Sequence, residues 1–218
     1  MTTLTTQQVL DEGLPDWRVL IRTLQTCFET GSFAAGADLV GRITAVAEQL
    51  NHHPDVLLRY PNVLVTTTSH DVGGLTDRDV TLARRISQVA ADLGVAAAPQ
   101  KVGTSEIGID VMDAEAVRPF WQAVLGYVTN DADETELSDP MGRGPTIWFQ
   151  QMDAPRPQRN RIHLDVWVPH DQAEARLQAT LDAGGRLLSD EAAPSFWVLA
   201  DPEGNEACVC TNLDRQSG

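Results

Sequence analysis

The sequence predicts an α+β protein in two parts: an N-terminal four-stranded antiparallel sheet with three helices on one face, then a pair of βαβββ modules. Three observations predict it. The first ninety-odd residues alternate helix-period and strand-period segments in the order α-β-β-α-β-β-α. Small residues around position 95 break that pattern. The remainder repeats itself once, with a period of roughly 50 residues.

Thr5 to Glu12 reads as a short helix ended by Gly13 and Pro15, and Trp17 to Phe28 as one or two strands. Phe33, Ala37, Val40, Ile43, Ala47 and Leu50 recur at spacings of three and four, the stripe of an amphipathic helix with Ser32 as N-cap and Pro54 as its stop. Asp55–Tyr60 and Asn62–Ser69 are strands joined through Pro61, the second running through the strongly β-forming VLVTTTS. Leu82, Ile86, Val89 and Leu93 mark a third helix, which Thr76-x-x-Asp79 opens as a capping box. Strands joined by tight turns predict antiparallel pairing. The first domain is therefore expected over 1–94, with a linker over 95–103 and a second domain over 104–214. A fragment 1–98 is expected to fold alone.

In the second part, Ile107-x-Ile-Asp-Val111 is echoed by Ile162-x-Leu-Asp-Val166. Each is followed by a helical segment ending in Leu125-Gly126 or Ala183-Gly184, then by an Asp-Pro turn (Asp139-Pro140, Asp201-Pro202) and an apolar strand (Thr146–Gln150, Ala207–Thr211). The later landmarks align when Glu106, rather than Gly108, faces His163.

Charge and cysteine usage exclude several functions. Lys+Arg total 16 against 31 Asp+Glu, a formal charge of -15. Nucleic-acid binding needs a basic face, and anionic membrane surfaces attract one, so neither partner is expected. No apolar run is long enough for a membrane span. Met1 to Asp11 lacks the basic and apolar regions of a signal peptide. Cys27, Cys208 and Cys210 are too few and too uneven for a disulfide framework, which fits a cytoplasmic protein with core thiols.

Three of the five histidines fall between positions 52 and 70. His52-His53-Pro54 lies just past a helix C-terminus, and a strand returning to that end would bring His70 beside the pair. Imidazoles there suit proton transfer near neutral pH. Spacing alone favours a structural role, such as satisfying helix carbonyls, over catalysis, and leaves a metal site as a lesser alternative.

The run Ala47-Glu-Gln-Leu-Asn-His-His-Pro-Asp55, followed by Tyr60, Val63, Thr68-Ser-His70, Gly74-Leu-Thr76 and Asp79, resembles the signature of pterin-4a-carbinolamine dehydratases over residues 10–94. The resemblance implies a four-stranded antiparallel sheet with three helices on one side. It also implies removal of water from a 4a-hydroxytetrahydropterin without a metal. It places His52 and His70 as acid and base, and His53 in binding and orientation. Pro54 would shape the binding turn, and Asp79 would orient a histidine or cap the last helix. The stretch from Gln25 to Phe33 matches the family's aromatic-rich strand only loosely. Some family members act as dimerisation partners, so an assembly or binding module is the alternative reading.

Ala116–Tyr127 (AVRPFWQAVLGY), Phe149-Gln150, Asn160-Arg-Ile-His-Leu-Asp165 and Asp201-Pro-Glu-Gly-Asn205 resemble glyoxalase-like domains of the vicinal oxygen chelate superfamily. That resemblance implies two βαβββ modules forming a cup, often around a divalent metal held from their first and last strands. The corresponding positions are Glu106, Gln150, His163 and Cys208, a mixed set in which Gln is a weak ligand and Cys favours softer ions. Trp121, Trp148, Trp167 and Trp197 could line an apolar cavity. The expected protein is thus a pterin dehydratase that requires no metal in its N-terminal half and carries a second domain for an unassigned small molecule. A metal-dependent lyase or dioxygenase acting through the second domain is a further alternative. Both resemblances imply self-association.

Overall fold

The computed structural model describes residues 2–130, 133–155, 163–168, 170–211 and 213, with only the backbone of His170. The start of the second repeat, Asn160 to Ile162, and the expected end of the second domain at position 214 lie outside the described residues. The chain divides into two compact units, Met1–Thr104 and Ser105–Gly218. Among the described residues no helix is long and apolar enough to cross a membrane.

The first unit follows the expected order: α1 (Thr6–Asp11), β1 (Arg18–Leu20), β2 (Thr23–Glu29), α2 (Phe33–Leu50), β3 (Asp55–Arg59), β4 (Asn62–Thr67) and α3 (Asp77–Asp92). The strands pair antiparallel in the order β1-β2-β4-β3. Alternation decides which side meets the helices: Leu24 and Phe28 of β2, with Val63 and Val65 of β4, pack with Leu39, Ile43 and Val46 of α2 and Leu82, Ala83 and Ile86 of α3. The buried face of α2 is rotated from the expected stripe. Gly36, Leu39 and Val46 are buried, while Phe33 at the helix start is exposed. Gly36 lets α2 approach the sheet closely: an added Cβ would lie 2.4 Å from Leu58 Cδ1, which would have to move.

The helix stop is also different. Asn51 in the left-handed region (φ 47°) ends α2 before Pro54 is reached, and the His52 N–H closes back on the Ala47 carbonyl at 3.1 Å. Asn tolerates that conformation, so the chain reverses and delivers His52 directly beneath the helix end.

The stretch read as a linker is not one. Ala96–Ala97 forms β5, a fifth strand that pairs with Phe28 and Glu29 on the edge of β2 beyond β1. Ala98 is buried and its N–H donates to the Cys27 carbonyl at 2.7 Å. Lys101 ion-pairs with Glu29 at 2.5 Å. Three alanines carry no periodic signal, so only the free edge of β2 could reveal their role. A fragment 1–104 is therefore expected to be more stable than 1–94 by roughly 1–3 kcal/mol, from a few backbone hydrogen bonds of about 1 kcal/mol each and the cover over Cys27. Urea unfolding of both fragments checks this; equal midpoints would restore the linker reading.

The second unit contains β6 (Glu106–Val111), α4 (Ala114–Leu125), β7 (Val128–Asn130), β8 (Asp133–Ser138) and β9 (Thr146–Gln151). The same succession then recurs as β10 (Leu164–Trp167), α5 (Ala173–Asp182), β11 (Arg186–Ser189), β12 (Phe196–Ala200) and β13 (Glu206–Cys210). The sheets run β6-β9-β8-β7 and β10-β13-β12-β11, each with first and last strands parallel. Their cores merge through Phe120 and Trp121 of α4 with Leu199, Ala207 and Val209. The second module caps both ends of α4. Glu203 accepts the Met112 and Asp113 N–H groups at 2.8 and 2.7 Å, and Arg176 Nη1 donates to the Val124 carbonyl at 2.9 Å.

Candidate functional site

Asp79 is the centre of the site in the first unit. It stands in the first turn of α3, where the Thr76–Asp79 capping box forms as the sequence predicts. Its side chain is wholly buried, so every lone pair needs a donor. Oδ2 accepts the Thr76 N–H at 2.9 Å and the Ser69 hydroxyl at 2.7 Å. Oδ1 accepts the Thr67 hydroxyl at 2.7 Å and faces His52 Nε2 at 2.7 Å. Burial pushes the carboxyl upward, but the hydrogen bonds from Ser69, His52, Thr67 and Thr76 outweigh it and hold Asp79 below the ordinary carboxylate range.

An ionised carboxylate only accepts, so His52 Nε2 carries the proton in this pair. With Nε2–H directed at Asp79, Nδ1 is engaged by no hydrogen bond from a described residue. His52 is itself buried, and Asp79 fixes its tautomer and orientation. Asp79 thus does both things the sequence allowed: it caps a helix and holds a histidine.

His70 adjoins this cluster through Ser69. It opens a short 3₁₀ turn, His70–Val72, whose ends are clamped by the paired backbones of Ser69 and Gly74. Gly73 closes the turn at φ 64°, a conformation that favours glycine. Asp71 ion-pairs with Arg78 in the first turn of α3. The same helix end therefore grips His52 through Asp79 and the His70 turn through Arg78 and Asp71. His70 is exposed, as is His53, whose Nε2 lies 3.1 Å from Glu48 Oε1 in the last turn of α2. Pro54 is half-buried immediately before β3.

Thr67 and Ser69 are the residues that sequence reasoning missed. Their signal was the strand period: Val65, Thr67 and Ser69 share the helix-facing side of the VLVTTTS segment, so two hydroxyls point into the core.

The second unit brings together only part of its expected set. Cys208 Sγ lies 3.6 Å from His163 Nδ1, which is 3.2 Å from Asp165 Oδ1. Glu106 and Gln150 do not converge. Glu106 is opposite Thr146 and Gln150 is opposite Asp110. That separates them by four rungs, about 13 Å along the strands. Among the described residues, Glu106 belongs to no cluster of convergent donors, whereas His163, Asp165 and Cys208 do. A divalent metal held jointly by both modules, as the superfamily resemblance implies, does not fit these residues. Burial, the Asp165 carboxylate and Cys210 push the Cys208 thiol up to about 12, so without a cation it is a protonated thiol and a poor nucleophile. The tryptophans have separate surroundings. Trp121 is buried against Phe120 and donates to Asp201, Trp197 packs on the core, Trp148 covers Gly108, and Trp167 is exposed.

Comparison with known proteins finds a family match for each unit. The pterin 4 alpha carbinolamine dehydratase profile matches residues 1–89, and a glyoxalase-like domain profile matches residues 106–210. A Nocardia farcinica protein provisionally named pterin-4-alpha-carbinolamine dehydratase is 37% identical over 94 residues, covering 40% of this chain and 99% of that protein. A Cyanothece protein with the same provisional name is 42% identical over 77 residues, 35% of this chain and 79% of its own. A glyoxalase-related enzyme from Fulvimarina pelagi has a solved structure that covers 55% of this chain and 93% of its own, with 20% identity and a TM-score of 0.40. The chain belongs to the pterin-4a-carbinolamine dehydratase family through its first unit, and its second unit is similar to glyoxalase-like domains.

Proposed function

We propose that the first unit dehydrates a 4a-hydroxytetrahydropterin by histidine acid–base chemistry. The observation that carries this reading is the buried His52–Asp79 pair, joined through Ser69 to the His70 turn, in a chain of this family. With Nε2–H held by Asp79, His52 offers Nδ1 to a ring N–H of the pterin. As that proton leaves, the C=N bond forms, the C4a–O bond breaks, and His70 delivers a proton to the departing hydroxyl, which leaves as water. Asp79 stabilises the imidazolium formed on His52. One proton is taken and one given, so no redox partner is needed. Such paired transfer contributes about 10²–10⁴-fold. His53, exposed and next in the chain, and Pro54, at the turn into β3, take the binding and positioning roles. The three cysteines form no disulfide, which supports a cytoplasmic setting, and exposed Phe33, Leu57 and Tyr60 support association of like copies.

The test is turnover of 4a-hydroxytetrahydropterin by the full chain, followed as formation of the quinonoid dihydropterin. Dehydration above the spontaneous rate is expected, and treatment with a chelator should leave it unchanged. No acceleration would favour the assembly-module alternative. Loss on chelation, restored by one divalent ion, would show that the histidines had been misread as a proton-transfer site.

A further inference from the structure

His70 has no side-chain anchor. Its imidazole is exposed and no hydrogen bond from a described residue holds it, so its placement is set by the backbone that carries it. That backbone is tied down on both sides. Ser69, the residue before, donates its hydroxyl to Asp79 at 2.7 Å. Asp71, the residue after, ion-pairs with Arg78. Arg78 and Asp79 are consecutive in the first turn of α3, and Asp79 also faces His52 Nε2 at 2.7 Å. Consecutive helical residues point about 100° apart, so Asp79 reaches into the core while Arg78 reaches toward the surface. One helix turn thus carries both imidazoles, His52 directly and His70 through its two neighbours.

The Arg78–Asp71 half of this arrangement is a poor stabiliser. The Asp71 side chain is 62% exposed, and ion pairs that wet return little. Arg78 Nε is buried and meets no acceptor among the described residues, and an unmet buried donor costs more than such a pair returns. Stability does not account for the pair, but its location does, because it fixes the residue that follows His70. Resting on the dehydratase reading above, we infer that Arg78 is a positioning residue: through Asp71 it keeps the His70 turn in place relative to His52 for paired proton transfer. A reacting group misplaced by about 1 Å loses about 100-fold in rate, so a pair worth little to the fold is worth much to turnover.

Arg78→Gln and Asp71→Asn, made separately and together in the full chain, test this. Each should lower kcat for 4a-hydroxytetrahydropterin by about 10-fold or more, with KM within about twofold and the melting temperature unchanged. The double variant should lose no more than either single one, because the two side chains act as a unit. Asp71→Glu, which keeps the carboxylate, should retain most of the activity. Arg84→Gln breaks the Arg84–Glu12 ion pair further along the same helix and should leave kcat unchanged. Amide exchange reads the turn without turnover. The Val72 and Gly73 N–H groups, bonded to the Ser69 and His70 carbonyls, should exchange at least about 10-fold faster in Arg78→Gln, while the Asp79 N–H is unaffected. Unchanged kcat in either single variant, a loss confined to KM, additive losses in the double variant, an equal loss in Arg84→Gln, or unchanged exchange in the turn would each overturn the assignment. Absence of turnover by the unaltered chain would instead remove the dehydratase reading, and the positioning role with it.

Discussion

His70→Ala is expected to slow pterin dehydration by about 10²-fold or more, the loss that follows removal of a general acid or base. Its thermal melting should stay close to that of the unaltered chain. The two halves of this expectation have separate causes. The His70 side chain is exposed, and its turn is held by the Ser69–Gly74 backbone pair and the Asp71–Arg78 ion pair, none of which uses the imidazole. His163→Ala should leave the same reaction unchanged, because His163 belongs to the other unit. Turnover of both variants at matched folded concentration checks the assignment. Full activity in His70→Ala would remove the proposed proton donor and favour the binding-scaffold reading. Equal losses in both variants would require a site that uses both units.

Asp79→Ala should destabilise the first unit by about 3–5 kcal/mol at neutral pH, because it leaves several buried donors without their shared acceptor at about 1–3 kcal/mol each. The deletion strands Thr67, Ser69, Thr76 and the His52 N–H, four groups that now share one carboxylate. The pH dependence has a definite sign. Asp79 is held below the ordinary carboxylate value of about 3.9, so its ionic contribution is complete above that value and is lost as pH falls through the lower folded value. The stability gap between the unaltered chain and Asp79→Ala should therefore narrow on acidification below about pH 4. Urea unfolding of fragment 1–104 across that range measures it. A gap that does not move with pH would mean that Asp79 contributes by packing alone. Asp79→Asn separates the effects: it keeps the shape but turns one acceptor into a donor facing other donors.

Local information reached far into this site. The Thr76–Asp79 capping box is a three-residue spacing, and the order of helices and strands in both units is written in the hydrophobic period. The His52-His53-Pro54 pair and His70 were likewise legible, through a motif whose separations are intact. What was not legible depends on partners distant in the chain. Ala96 and Ala97 have no period of their own and become a strand only because β2 has a free edge. Thr67 and Ser69 look like ordinary strand residues until Asp79, ten or more positions later, is buried beside them. Asp165 stood two residues from His163 in plain view, but its place opposite Cys208 depends on strand pairing.

By itself, then, the sequence determined the two-part α+β plan and the capped helices, because these rest on short-range periodicity, caps and spacing, and it offered the histidine trio as a candidate site through its resemblance to a family motif. The tertiary structure alone decided how the groups are arranged. Strand register set Glu106 four rungs from Gln150 while joining His163, Asp165 and Cys208. Burial at the sheet–helix junction made Asp79 the shared acceptor that orients His52. Register and burial are fixed by long-range packing, and a linear pattern of residue types does not encode which distant rungs will meet.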